Sequence, residues 1–233
     1  MESLDTRKEA LLKLTVRRYI KTAEPVGSAW LAEESGLDVS SATVRNELSA
    51  LEEQGYLLQP HTSAGRAPSE KGYQYYVRRF LDKKNPGSSA AASLSEALSG
   101  AEEGKDQLKR VAKALSELSD ESVLAAFEPR DVFYTGLSNL FGKPEFRQLA
   151  LVASMSRMLD HLDEVVEQVF PKVGEEVGIW IGSQNPFGAE CGLLIARVPV
   201  GNAYGILGML GPMRMDYDAG AGLLETAIRI LKR

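Results

Sequence analysis

The sequence predicts an α+β protein in two folded parts, and three observations carry that reading. The first 84 residues are helical in period and densely punctuated by Pro and Gly. A Ser/Ala/Gly-rich stretch follows, "KKNPGSSAAASLSEALSGAEEGK". The remainder mixes helical stretches with short apolar runs broken by glycine, as strands of an antiparallel sheet flanked by helices would be. The expected domains are residues 1–84, a linker over 85–106 that opens on "NPGSS" and whose later part fits a weak helix, and 107–233.

The elements of the first domain read off in order. Leu11, Leu12, Val16, Tyr19 and Ile20 recur at helical spacing, so a helix is expected over about Thr6–Thr22. "AEPVG" ends it, because Glu24 precedes Pro25 and is pushed out of the helical region. Ser28 is the expected cap of a short second helix that stops at Gly36. "LDVS" is a turn, and Ser40 caps a third helix, "SATVRNELSALEEQ", with Val44, Leu48 and Leu51 on one face. "YLLQP" reads as a short strand, "HTSAG" as a turn, "RAPS" as the returning strand, and Ser69 caps a fourth helix over about Glu70–Asp82.

This order is that of a winged helix-turn-helix, whose third helix enters a DNA groove. With Val44 facing the core at 0° and 100° per residue, Ala42, Asn46, Ser49 and Glu53 point outward, flanked by Thr43 and Arg45. A small residue lets the helix approach base edges, and Arg and Asn are the donors that read G and A. Arg45 and Asn46 are therefore the leading base readers. The turn after "GYLL" is the wing: Thr62, Ser63 and Arg66 can donate to phosphate oxygens, and Gly65 permits a tight reversal in a backbone conformation that β-branched residues disfavour. The helix starts at Ser40–Ser41 and beside Lys71 add partial positive charge for phosphates. The expected DNA-binding set is Ser40, Ser41, Ala42, Thr43, Arg45, Asn46, Ser49, His61, Thr62, Ser63, Gly65, Arg66 and Lys71. Each has a plainer reading. His61 fits a solvated turn residue, Tyr73, Tyr75 and Tyr76 fit packing as well as base stacking, and the Arg17–Arg18 and Arg78–Arg79 pairs fit solvated faces.

Charge agrees with this placement. The net charge of −5 excludes a polybasic molecule, yet residues 1–84 carry 13 Lys/Arg against 12 Asp/Glu, and the rest 14 against 20. Any nucleic-acid contact is thus expected from the first part. Cys191 is the only cysteine, so no intrachain disulfide forms and a reducing, cytoplasmic setting is expected. The opening "MESLDTRKEALLK" lacks the apolar stretch of a signal peptide, and no apolar run is long enough to span a membrane.

The same residues resemble the bacterial heat-inducible transcription repressor HrcA family. The stretches "AEPVGS", "SSATVRNE", "LEEQGYLLQPHTSAGRAP" and "KGYQYYV" occur in the family's order. "FYTGLSNLFGKPEF" and "GMLGPMRMDY" resemble two further family segments. The resemblance implies repression of chaperonin operons through an inverted-repeat operator, a GAF-like second domain, a homodimer, and control by the chaperonin. The family also carries a sizeable inserted dimerisation segment before the "GLSN" element. Here "ALSELSDESVLAAFEPRDVFYTGLSN" joins the flanking elements directly.

The dimer surface is then expected either on a helix over Gln107–Phe127, whose stripe is Leu108, Val111, Leu115, Leu118 and Ser122, or on faces of the GAF-like domain. The alternative for that stripe is packing on its own sheet. The alternative function is a winged-helix regulator controlled by a small effector in the GAF-like domain; a third reading is an interaction module without DNA binding. No spacing of His61, His161 and Cys191 makes a metal site, no phosphate-binding loop occurs, and neither a cofactor nor enzymatic chemistry is expected. In "GPMRMDY", Arg214 and Asp216 fit either a ligand contact or a turn in which Asp216 caps the last helix.

Overall fold

A computed structural model describes residues 4–232; the outermost ends of the expected domains, residues 1–3 and 233, lie outside the described residues. The chain divides into two compact units, one ending at Leu81 and the other beginning at Asp82.

In the first unit, helix α1 (Thr6–Thr22) starts at an Asp5 cap, whose carboxylate accepts the Lys8 amide at 2.9 Å. It ends at Ala23, which turns left-handed at φ 56°. Helix α2 (Ser28–Glu34) follows. Its N-cap is Gly27, with no side-chain capping bond, so Ser28 is the first helical residue and not the expected cap. Helix α3 (Ser41–Glu53) is capped by Ser40, whose hydroxyl accepts the Thr43 amide at 3.2 Å. Val44, Leu48 and Leu51 are buried, as their i, i+4, i+7 spacing requires. Strands β1 (Leu57–Leu58) and β2 (Ala67–Pro68) pair antiparallel, and Ser69 caps helix α4 (Glu70–Phe80). Tyr73, Tyr75 and Tyr76 are all buried. The Tyr75 ring meets Tyr56 edge-on at 5.3 Å and its hydroxyl donates to Glu9 at 2.7 Å. The three tyrosines are core residues, so base stacking by them is ruled out.

In the second unit the expected linker is helical from Gly87, inside the "NPGSS" stretch and not only in its later part. Helix α5 (Gly87–Ala97) packs on helix α6 (Lys105–Ser119) and on the last helix, burying Leu94. Its Ala/Ser composition suits close helix–helix approach as well as it suits a flexible connection. The expected helix over Gln107–Phe127 is two elements. Asp120 stops α6 in a left-handed conformation at φ 56°, and Ser122–Glu128 is strand β3. The run "VLAAF" is buried on both faces, which erases the alternation that marks a half-exposed strand.

Strands β4 (Asp131–Thr135), β5 (Gly178–Ile181), β6 (Cys191–Val200) and β7 (Ala203–Pro212) complete a five-stranded antiparallel sheet in the order β4-β3-β7-β6-β5. The β6–β7 hairpin runs in register from Cys191↔Pro212 to Val200↔Ala203. One sheet face, with Leu124, Leu193, Ile195, Ile206 and Leu210, is covered by helices α7 (Leu137–Gly142), α8 (Leu149–Asp160) and α9 (Leu162–Val169). The other face takes α6 and helix α10 (Tyr217–Leu231). Helix and antiparallel sheet thus form an α+β unit of three layers.

Leu108, Val111, Ala112 and Leu115 are fully buried in this packing, whereas Leu118 is 36% exposed. The α6 stripe is consumed by its own unit, because a helix laid on a sheet must bury that face there. It is therefore not available as a dimer surface. Asp216 caps α10 by accepting the Ala219 amide at 3.0 Å.

Candidate nucleic-acid interface

The exposed side of α3 begins at its cap. Ser40, Ser41, Ala42, Arg45 and Asn46 are exposed and Thr43 is half-buried. Ser40 and Thr43 share a hydroxyl–hydroxyl hydrogen bond of 3.1 Å. Among the described residues the Arg45 and Asn46 side chains have no hydrogen-bond or ion-pair partner. Their neighbour Glu47 does: Arg7 and Lys8 from α1 hold its carboxylate at 3.3 and 3.1 Å. The acid on this part of the helix is thereby neutralised, and two unengaged donors remain beside it. Ser49 is half-buried and donates to the Arg45 carbonyl at 3.1 Å, so its hydroxyl is committed to the backbone.

The loop between β1 and β2 exposes His61, Thr62 and Ser63 at its tip. Val26 and Arg66 exchange two backbone hydrogen bonds, 2.8 and 2.9 Å long, which tie the loop to the residues before α2. Gly65 is needed for a reason other than the expected one. It is not among the positive-φ glycines; instead a Cβ there would overlap the Val26 carbonyl and lie 2.8 Å from the Gly27 nitrogen. Close approach of two backbones, and not a left-handed turn, excludes a side chain.

Two of the expected phosphate donors are engaged internally. Arg66 Nη2 pairs with Glu52 at 2.9 Å with its side chain only 13% exposed, because the residue opening the return strand faces the C-terminal half of α3. Lys71 donates to the Gln54 carbonyl at 2.6 Å and lies over the Tyr56 ring, so it closes the C-terminus of α3. Arg45, Ser49, Thr62, Ser63, Gly65 and Arg66 do converge, with Gly27 and Ser28, around a cleft of about 540 Å³. Sequence reading missed Val26, Gly27 and Ser28, which lie some 40 positions from the loop and carry no local signal of the pairing. It also missed Gln59, whose amide donates to Thr62 O at 3.0 Å and Ala64 O at 2.9 Å.

In the second unit, the segments "SNLFGKPEF" and "GPMRMDY" meet. Arg214 grips Glu145 through Nε and Nη2, donating to Oε1 at 2.5 Å and Oε2 at 3.3 Å, with its side chain 14% exposed. That pairing answers the choice left open for Arg214: it fastens two turns together. Beside them Glu121 is buried, with Oε2 lacking a partner and Lys143 3.5 Å from Oε1. Burial pushes its carboxyl up to about 7, against the opposing pull of Lys143. Cys191 is buried, and desolvation raises its thiol to about 12, which makes it an unreactive core residue. Among the described residues no group of three or more His, Cys, Asp or Glu gathers to hold a metal, and no helix is long and apolar enough to cross a membrane.

Comparison with known proteins adds a family. Residues 73–219 match the HrcA protein C-terminal domain. A heat-inducible transcription repressor HrcA from Desulforudis audaxviator is 28% identical, covering 99% of this chain and 97% of that protein. The alignment runs over 335 residues although this chain has 233, so the relative carries about a hundred residues without a counterpart here. The repressors of the same name from Bifidobacterium longum and Acetivibrio thermocellus are each 44% identical, over 52% and 53% of this chain. Those two matches span only 32% and 35% of the relatives' own length. A crystal structure described as that of a hypothetical protein superposes with a TM-score of 0.72 at 21% identity, covering 98% of this chain and 96% of that one, and so shares the fold.

Proposed function

The chain belongs to the HrcA family of heat-inducible transcription repressors, and from that premise we propose that its first unit is a winged helix-turn-helix gripping double-stranded operator DNA. Helix α3 is the groove-entering helix and the His61–Ser63 loop is the wing. The second unit is a GAF-like regulatory domain, and its effector is the chaperonin. The observation that carries the DNA reading is the pair Arg45 and Asn46, exposed and unpartnered on a helix whose neighbouring acid is held by Arg7 and Lys8.

Arg and Asn donate in pairs to the major-groove edges of G and A. Ser40, Ser41, Ala42 and Thr43 line the entry of that helix, where backbone amides favour a phosphate. Thr62 and Ser63 contact the sugar–phosphate backbone, which positions without reading sequence. Arg66 and Lys71 act indirectly, by fixing the wing and the end of α3. An inverted-repeat operator calls for a homodimer, since two-fold symmetry in DNA mirrors two-fold symmetry in protein. With the α6 stripe buried, the dimer contact lies on other surfaces of the second unit. The protein works in the cytoplasm, where operator and chaperonin both are.

The test is a binding titration against duplexes selected by the protein from a random pool. Affinity should fall steeply with salt, because each neutralised phosphate releases counterions. Selection of no duplex, or salt-independent retention, refutes the reading. Addition of purified chaperonin should tighten binding; no change in affinity removes the chaperonin from the mechanism.

A further inference from the structure

The tip of the β1–β2 loop is short of regular structure yet well fastened. On the return side, Arg66 and Val26 exchange two hydrogen bonds and Gly65 lies against the Val26 carbonyl. On the outgoing side, the Gln59 side chain spans the turn. Gln59 is half-buried at the end of β1, and its Nε2 donates to Thr62 O at 3.0 Å and to Ala64 O at 2.9 Å. The Ala64 amide in turn donates to His61 O at 2.8 Å. Both N–H groups of one amide thus clasp carbonyls on either side of Ser63, and the three exposed residues His61, Thr62 and Ser63 ride on that clasp.

We propose that Gln59 is the positioning residue of the wing: its side-chain amide, which touches no ligand itself, holds the Thr62–Ala64 turn in the shape that meets the DNA backbone. The proposal rests on the DNA reading above and goes beyond it by assigning a residue outside the expected contact set. The chemistry requires an amide. A carboxylate at the same position would face two carbonyl oxygens and repel them, and a thioether of the same length would donate to neither. With the clasp gone, the turn's carbonyls are exposed enough to be solvated, so the unit stays folded. The loop then samples open shapes, and apparent affinity falls by the fraction of time the competent shape is populated.

The test is Gln59→Met in the full chain, with Gln59→Glu as a second variant. Two net hydrogen bonds make a loss of operator affinity on the order of tenfold the expected result for Gln59→Met, measured on the duplex that the parent selects from a random pool. Because Gln59 contacts no phosphate, the salt dependence of binding should keep the parental slope. Amide exchange at Ala64 should quicken, while the thermal midpoint falls by a few degrees at most and stays well above the temperature of the binding assay. Gln59→Glu should lose at least as much affinity as Gln59→Met. Parental affinity with parental Ala64 protection in Gln59→Met overturns the proposal. So does a lowered midpoint that accounts for the lost binding, since Gln59 would then be a general stability residue. Should the parent select no duplex, the DNA reading fails by itself, and unchanged Ala64 exchange in Gln59→Met would still overturn the clasp.

Discussion

Replacing Glu121 with Gln should stabilise the second unit at alkaline pH and hardly at all in acid. Glu121 sits in the turn between α6 and β3, 7% exposed, with Oε2 unpartnered and pressed against Gly211 of β7. The charged groups facing it are Lys143 after α7, Arg214 before α10 and its own neighbour Asp120; buried Cys191 and Tyr217 are titratable groups behind it. Burial raises its carboxyl from 4.5 to about 7, so the folded state holds the proton more tightly than the unfolded chain does. For a raised acid the stability is fully present below the unfolded value and is lost as pH climbs through the folded one. The interval from 4.5 to about 7 corresponds to roughly 3 kcal/mol.

Part of that loss is complete by pH 5, so the advantage of Glu121→Gln over the parent should grow by about 2 kcal/mol between pH 5 and pH 8. In a unit of this size that is about 4–8 °C in Tm. Lys143 keeps its other partner, Asp120 at 3.0 Å, so the substitution strands no cation. The assay is urea unfolding of parent and variant at both pH values, followed by Trp180 fluorescence with Trp30 changed to Phe in both. Subtracting one from the other cancels the titrating groups that do not interact with Glu121. An advantage equal at the two pH values, or one that shrinks toward pH 8, refutes the account of Glu121 as a buried, proton-retaining carboxyl.

Other substitutions separate contact from scaffold. Asn46→Ala should weaken operator binding by roughly 1–3 kcal/mol and relax the preference at one base pair, read by repeating the duplex selection; an unchanged preference removes Asn46 as a base reader. Gly65→Ala should break the Val26–Arg66 pairing, and so cost the first unit stability as well as binding, about 1–3 kcal/mol by thermal unfolding; a stable, non-binding variant would contradict the close approach seen at Val26. Leu115→Glu should unfold the second unit, since it buries a charge at a fully enclosed site. Leu118→Glu should fold and keep the parental mass by light scattering; a lower mass would place the self-association surface on the exposed edge of α6.

Sequence by itself determined the helical period of α1, α3 and α4, the caps at Ser40, Ser69 and Asp216, and the outward position of Ala42, Arg45 and Asn46. These rest on local rules: spacing of apolar residues around one helix and side-chain acceptors for the first amides of a turn. The strand starting at Ser122 was illegible, because burial on both faces leaves a continuous apolar run that fits helix and strand alike. The α5 helix was legible only as a weak helix late in the linker, for the opposite reason: small residues carry little pattern of their own until α6 and α10 are there to pack on. Tertiary structure alone decided which basic residues near the cleft are available. Arg45 and Arg66 look equally available in sequence, yet Glu52, about two turns beyond Arg45 on α3, reaches Arg66 and leaves Arg45 unengaged. The same holds for Gly65, whose need for a bare backbone comes from Val26, a residue brought beside it only when the chain folds.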